Sequence, residues 1–279
     1  MHTEAGMSLL PKEIESHYLE SRERERLSAD RGELERLRTQ AILARDLPPA
    51  PAVVVDVGGA AGVYAFPLAK QGYKVHLIDP VELHLEQARS HAAASGVALA
   101  SIALGDARKL EFSTGGADAV LLFGPLYHLI EHKDRVQALS EARRILKPGG
   151  LLFAAVISRF ASFIDGLLNG FFQDATFRKI IAGDLASGQH RNPANHPAYF
   201  TTAYFHRPEE LADELREAGF ENARILAIEG IAWSGARFRE TWNDPAQREK
   251  LMEFLSLIER EPSLVGASAH IMAVARRVS

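Results

Sequence analysis

Between residues 52 and 157, short apolar runs alternate with stretches of helix length. "AVVVDV" (52–57), "KVHLID" (74–79), "LASIAL" (99–104), "ADAVLLF" (117–123) and "GLLFAAVI" (150–157) read as strands. A helix from Gly62, one across 81–95 and one over 133–146 fall between them. A parallel crossover needs a helix-length return, so βα steps in succession predict a parallel sheet covered on both faces.

The two ends depart from this rhythm. Residues 8–45 carry Leu27, Leu34, Leu37 and Ala41 at mostly three- and four-residue steps among many charges, which predicts two amphipathic helices ended by "DLPPAP" (46–51). Toward the other end, "PEELADELREAGF" (208–220) predicts a helix with a glycine stop. "NARILAIEG" (222–230) is strand-like, 244–260 looks helical, and "AHIMAVARR" (269–277) is a strand that can close the sheet antiparallel. Residues 158–206 fit neither pattern and hold nine aromatic residues between Phe160 and Phe205. They are either a packed helical extension or, as we favour, a lid over the sheet's carboxyl edge, where open α/β sheets bind ligands. The expected organisation is a helical cap over 1–51 and a domain over 52–279 with a lid insertion at 158–206.

A length of 279 residues and 47% apolar composition suffice for one substantial core. With no cysteine in the chain, disulfides and thiol catalysis are excluded, and a reducing cytoplasm is the default expectation. "MHTEAGMSLLPKEIESHYLE" does not read as a secretory signal. No apolar run approaches the roughly 20 residues of a membrane span. A net charge of -4 gives no general attraction to nucleic-acid phosphates. "RERER" (22–26) alternates sign and reads as a solvated helix face.

The chemistry concentrates in "VVVDVGGAAG" (53–62). Gly58, Gly59 and Gly62 follow the first strand, as a nucleotide-binding βαβ unit requires. The spacing breaks G-x-G-x-x-G, however, and Asp56 puts a negative charge where a pyrophosphate would be repelled. A ligand that brings positive charge to the turn explains Asp56 better. Asp79, ending the second strand, suits the hydroxyls of a ribose, and Asp106 after the third can accept from an adenine amino group. Cation, ribose and adenine together describe S-adenosylmethionine.

These segments, with "LGDARKL", "ADAVLLFGPLYHL" and "EARRILKPGGLLFAAV", resemble the ordered motifs of class I S-adenosylmethionine-dependent methyltransferases. The resemblance is strong over 52–157 and fainter over 208–230 and 269–277. It implies a Rossmann-like α/β fold: a seven-stranded, mostly parallel sheet with one antiparallel strand and helices on both faces. It also implies a cofactor site of Asp56, Gly58, Gly59, Ala60, Gly62, Asp79, Pro80, Gly105, Asp106, Ala107, Phe123 and Gly124, with S-adenosylhomocysteine as product. Ala60 stands where the family usually has a glycine. A negative φ would accommodate its methyl group, so altered loop packing is expected, with binding retained.

By the same resemblance, "FGPLYHLIEH" lies beside the transferable methyl, making Tyr127 and His128 the first candidates for acceptor contact and proton transfer. His128 can alternatively cap a short helix and pack. His128, Glu131 and His132 also fit H-x-x-E-H, a zinc-peptidase pattern, but "HKD" (132–134) reads as a break before the next helix, so no metal is expected. Tyr18, Arg38, His132, Tyr199 and Tyr204 are substrate-side candidates. The expected reaction is methyl transfer to N or O of a small molecule, without nucleic-acid or membrane partners. The alternatives are a nicotinamide-dependent oxidoreductase and a non-catalytic cofactor-binding protein on the same fold.

Overall fold

The computed structural model describes Glu13, Ile14, Leu27 and residues 30–278, and the elements below are numbered within it. The earlier expected helix therefore falls mostly outside the described residues, as does Tyr18. The later one is α1 (Asp30–Asp46). Its buried stripe is Leu34, Arg38 and Ile42 at four-residue steps, whereas Leu37 is half-buried and Ala41 exposed. The stripe is rotated from the expected one because it contains a charge. Arg38 donates to the Ile228 carbonyl (3.0 Å) and to Glu259 (2.6 Å), which satisfies a guanidinium only 2% exposed.

The alternating middle folds as expected: β1 (Val53–Val57), α2 (Ala65–Lys70), β2 (Lys74–Asp79), α3 (Glu82–Ser95), β3 (Ser101–Leu104), β4 (Ala117–Leu122), α4 (Pro125–His128), α5 (His132–Ile145) and β5 (Leu146–Ser158). Valines 54, 55 and 57 are almost fully buried because β1 lies between β2 and β4 with helices on both faces. The 158–206 segment supplies α6 (Ala161–Asn169), a 3₁₀ turn (Phe171–Gln173), α7 (Ala175–Ser187), β6 (Gln189–His190) and β7 (Ala203–His206). Then come α8 (Pro208–Glu217), β8 (Glu221–Ala227), a second 3₁₀ segment (Gly230–Ser234), α9 (Phe238–Asn243), α10 (Pro245–Ile258), α11 (Pro262–Val265) and β9 (His270–Arg276).

Seven strands form the expected sheet in the order β3-β2-β1-β4-β5-β9-β8, with β9 antiparallel to both neighbours. The insertion adds to it, since β7 pairs in parallel with the last two residues of β5 and β6 pairs with β7. One face is covered by α5 and α8 through residues such as Leu139, Ile145, Leu211 and Leu215. The other is covered by α1, α2 and α3 through Ile42, Leu43, Phe66 and Ala88. The insertion is a packed unit. Phe177, Ile180, Ile181 and Tyr199 form a small core of its own, while Ala203 and Phe205 pack on Ile157, Tyr127 and Phe200 at the sheet edge.

One topological detail positions the site. Parallel strands present their last residues at the carboxyl edge, but β9 runs the other way, so its first residue, His270, stands there opposite Ile157.

Candidate active site

A cavity of about 600 Å³ lies along that edge. Its wall brings together the expected Asp56, Gly58, Gly59, Ala60, Asp79, Pro80, Gly105, Asp106, Ala107, Phe123, Gly124, Tyr127 and His128. Gly62 is absent from the wall. It shapes the turn from behind, with φ +86° and a position where an added Cβ would lie 2.7 Å from the Phe66 ring.

The turn after β1 is held by close contacts. A Cβ on Gly59 would sit 2.3 Å from a Leu77 methyl and 2.6 Å from the Asp56 carboxyl carbon, so Gly59 closes over that acid. Ala60 differs from expectation. Its φ is +47°, in the left-handed region that disfavours a side chain. Its N–H donates to Asp79 Oδ2 at 2.9 Å, and that bond accompanies the strained backbone.

The acids occupy three different environments. Asp56 is 1% exposed, and among the described residues neither oxygen has a hydrogen-bond partner. Burial foremost, and then the charge of Asp79, push its carboxyl up to about 7. Asp79 is also buried but accepts from the N–H groups of Ala60 and Val81, both at 2.9 Å, and lies 2.9 Å from His84 Nδ1. A carboxylate offers about four acceptor sites, so Oδ2 retains capacity for a ligand hydroxyl. Asp106 is gripped by Arg108 through its backbone N–H (2.8 Å) and guanidinium. Burial raises this carboxyl, but the Arg108 hydrogen bonds and charge outweigh it and hold the group below its ordinary range.

At α4, the rings of Tyr127 and His128 lie 4.6 Å apart and Phe200 stacks near His128 at 6.0 Å. The substrate-side candidates do not converge there. Arg38 clamps α1 to the core. His132 contacts Glu217 (2.7 Å) and Glu214 (3.2 Å). Tyr204 is covered by the guanidiniums of Arg135, 3.7 Å from its centroid, and Arg159, at 5.6 Å. Tyr199 borders a separate, smaller chamber and donates to Asp174. The H-x-x-E-H letters do not form a metal face, because α4 ends at His128 and α5 begins at His132.

Two features escaped the sequence reading. Arg135, 2% exposed, donates to the carbonyls of Leu129 (2.9 Å) and Ile130 (2.6 Å), two cavity residues, while its Nε reaches Glu214 at 2.8 Å. Burial would raise the Glu214 carboxyl, but hydrogen bonds from His206 and Arg135 bring it down to about 2. Burial holds His206 itself below its ordinary value, and Arg135 is a guanidinium buried beside Glu214 at 2.7 Å. The second feature is a cluster of Glu35, Glu229 and His270. His270 Nδ1 is 2.6 Å from Glu229 Oε1, whose other oxygen accepts from the Ser268 hydroxyl (2.8 Å) and the His270 N–H (2.9 Å). Glu35 Oε2 lies 3.7 Å from the same ring nitrogen. Its only sequence signal was a histidine opening the antiparallel strand.

A glycine turn over a buried acid, a second acid ending β2 and the strand order define the class I S-adenosylmethionine-dependent methyltransferase architecture. Residues 54–150 match the family model described as a methyltransferase domain. It is 34% identical over 106 residues to a ubiquinone biosynthesis O-methyltransferase of Methylocella silvestris, a match covering 38% of this chain and 40% of that protein. The chain thus spans about two fifths of the length of that curated relative. Among solved structures it resembles a methyltransferase from Methanosarcina mazei (TM-score 0.56, 17% identity, covering 85% of this chain and 97% of that one). It also resembles the CcbJ methyltransferase of Streptomyces caelestis (TM-score 0.54, 18% identity, 87% and 89% covered).

Proposed function

We propose that this chain transfers a methyl group from S-adenosylmethionine to N or O of a small-molecule acceptor. The observation that carries this reading is Asp56, a buried carboxylate without a hydrogen-bond partner among the described residues, enclosed by the glycine turn and bordering the cavity. Such an acid fits a ligand bearing an ammonium group and opposes one bearing phosphate. When bound, S-adenosylmethionine supplies a methyl group already activated on sulfur.

The chain's own residues then have three tasks. Asp56 and the turn hold the charged end, Asp79 accepts from ribose hydroxyls through Oδ2, and Gly105 to Ala107 border the adenine. Tyr127, His128 and Phe200 limit water on the acceptor side and orient the incoming atom, effects that lower the barrier chiefly by alignment. A small acceptor suits a site flanked at Tyr127 by the packed insertion, and the acidic net charge of -4 gives no general attraction to nucleic acid. Among the described residues no helix is long and apolar enough to cross a membrane.

Calorimetric titration with S-adenosylhomocysteine, with NADH as comparison, tests the reading. One-site binding of the first and none of the second is expected. Binding of NADH alone would overturn it.

A further inference from the structure

The turn after β3 carries Asp106 and Arg108, and both line the large cavity. The Lys109 N–H donates to the Asp106 carbonyl at 3.0 Å and closes the turn. Within it the guanidinium covers the whole carboxylate edge. Asp106 Oδ1 accepts from the Arg108 backbone N–H (2.8 Å) and from Nε (3.0 Å), and Oδ2 accepts from Nε (3.0 Å) and Nη2 (2.5 Å). A carboxylate offers about four acceptor sites, so Asp106 is filled by its own neighbour. Asp79 is the contrast, since its Oδ2 accepts only from Ala60 among the described residues.

Arg108 is fixed from a second side. Its Nη1 donates to Asp134 Oδ2 (3.2 Å) in the first turn of α5, and Asp134 also lines the cavity. The guanidinium therefore bridges the turn and the helix, with three of its five N–H groups committed and two left to donate. A purine bordered by Gly105 to Ala107 meets a filled acid and a guanidinium with donors to spare. A 6-amino group there needs an acceptor. It exchanges poorly for the guanidinium, because the ion pair carries charge on both partners and a planar fork that matches the carboxylate. A 6-oxo group is itself an acceptor and suits the two remaining N–H groups.

We infer that Arg108 withdraws Asp106 from purine recognition, so that the site binds a 6-oxopurine form of its cofactor about as well as the 6-aminopurine form. This rests on the methyl-transfer reading above, which places adenine beside Gly105 to Ala107. It replaces the expectation that Asp106 accepts from the adenine amino group. Arg108 is then a positioning residue that acts through Asp106 and sets selectivity at the purine end. Asp56 and Asp79 hold the ammonium and ribose ends whichever purine is bound.

The probe is S-inosylhomocysteine, in which an oxo group replaces the 6-amino group of S-adenosylhomocysteine. Both compounds are titrated calorimetrically into the full chain. The readout is the ratio of their dissociation constants, in which a general loss of folding or of ribose contacts cancels. For the unaltered chain the two constants should agree within about fivefold. Arg108→Ala opens Asp106, so the preference for the amino form should rise to at least about tenfold, as one hydrogen bond to a charged acceptor implies. Arg108→Lys supplies a single ammonium without the fork and should fall between the two. Adding Asp106→Ala to Arg108→Ala should take the preference away again.

A preference of the unaltered chain for S-adenosylhomocysteine above about fivefold would mean that the amino group displaces Arg108 from Asp106, which overturns the inference and leaves the methyl-transfer reading standing. Equal binding of the two compounds by both the unaltered chain and Arg108→Ala would show that Asp106 does not face the purine, with the same consequence. Binding of neither compound by the unaltered chain overturns both readings.

Discussion

The two halves of the carboxyl edge are built differently. Over β1, β2 and β3, the site is made by three short segments around 56–62, 79–81 and 105–108, each emerging directly from a strand and working largely through backbone and acids. Over β5, β9 and β8, it is assembled from Glu35 on α1, Tyr127 on α4, Phe200 in the insertion, and His270 at the start of β9, which Glu229 beyond the end of β8 holds. A site that grips a ligand common to many reactions can be coded locally. One that selects an acceptor is assembled from positions whose proximity only the fold creates.

Arg135 joins the halves, since it anchors the loop that runs between them, and its loss should have the largest effect. Arg135→Ala strands the buried Glu214 carboxylate and frees the Leu129 and Ile130 carbonyls. We expect about 3–5 kcal/mol of destabilisation by chemical denaturation. A loss below about 1 kcal/mol would show that the loop is held by other contacts.

Asp79→Ala should confine its damage to the first half, weakening S-adenosylhomocysteine by roughly 1.5–3 kcal/mol through lost charge-assisted hydrogen bonds. If transfer at saturating S-adenosylmethionine falls as much as cofactor binding, the division between halves fails.

Asp56 gives the next effect, of about 1.4 kcal/mol per pH unit below its midpoint. With the carboxyl at about 7 in the ligand-free protein, a ligand ammonium that needs it ionised should bind roughly tenfold more weakly at pH 6 than at pH 8. Stability moves oppositely. The folded chain holds this proton more tightly than the unfolded one, whose Asp titrates near 3.8, so the group's contribution to stability declines as pH rises from about 4 to about 7. Asp56→Asn should therefore raise the melting temperature at pH 8, have little effect at pH 4, and flatten the pH dependence of ligand affinity.

The smallest change sharpens the picture of the turn. Ala60→Gly removes a left-handed alanine and should stabilise the protein by about 1 kcal/mol, with S-adenosylhomocysteine bound no more weakly. A destabilised variant would mean that the Ala60 methyl group makes a packing contribution larger than its backbone strain.

This contrast explains what could be read from the chain alone. Apolar runs located all seven strands of the main sheet, and Asp56, Asp79 and Asp106 share one cavity wall because each lies at or just past the carboxyl end of a parallel strand. Ala60 was misjudged because its left-handed conformation goes with a hydrogen bond to Asp79, 19 residues away, which the local sequence does not show. Arg38 and Tyr204 were read as pocket groups because they lie on the N-terminal helices and in the insertion, the two segments expected to close over the site. Their actual partners, Glu259 for the first and Arg135 and Arg159 for the second, become neighbours only after folding. His270 belongs to no motif, and its place at the carboxyl edge follows only from the direction of β9. For an antiparallel strand the relevant residue is the first.

The clamp on α1 bears on how ligands travel. Arg38 and Arg45 hold both oxygens of Glu259, each at 2.6 Å, and Arg38 also caps the Ile228 carbonyl beside the cavity. Peeling α1 away would leave a buried carboxylate without a counter-charge, at a cost of several kcal/mol. The helix should therefore open only with β8 and β9, and its amides over 34–43 should exchange as slowly as theirs. It forms a fixed wall of the cavity through Glu35 and Thr39, and ligand exchange should not require its movement.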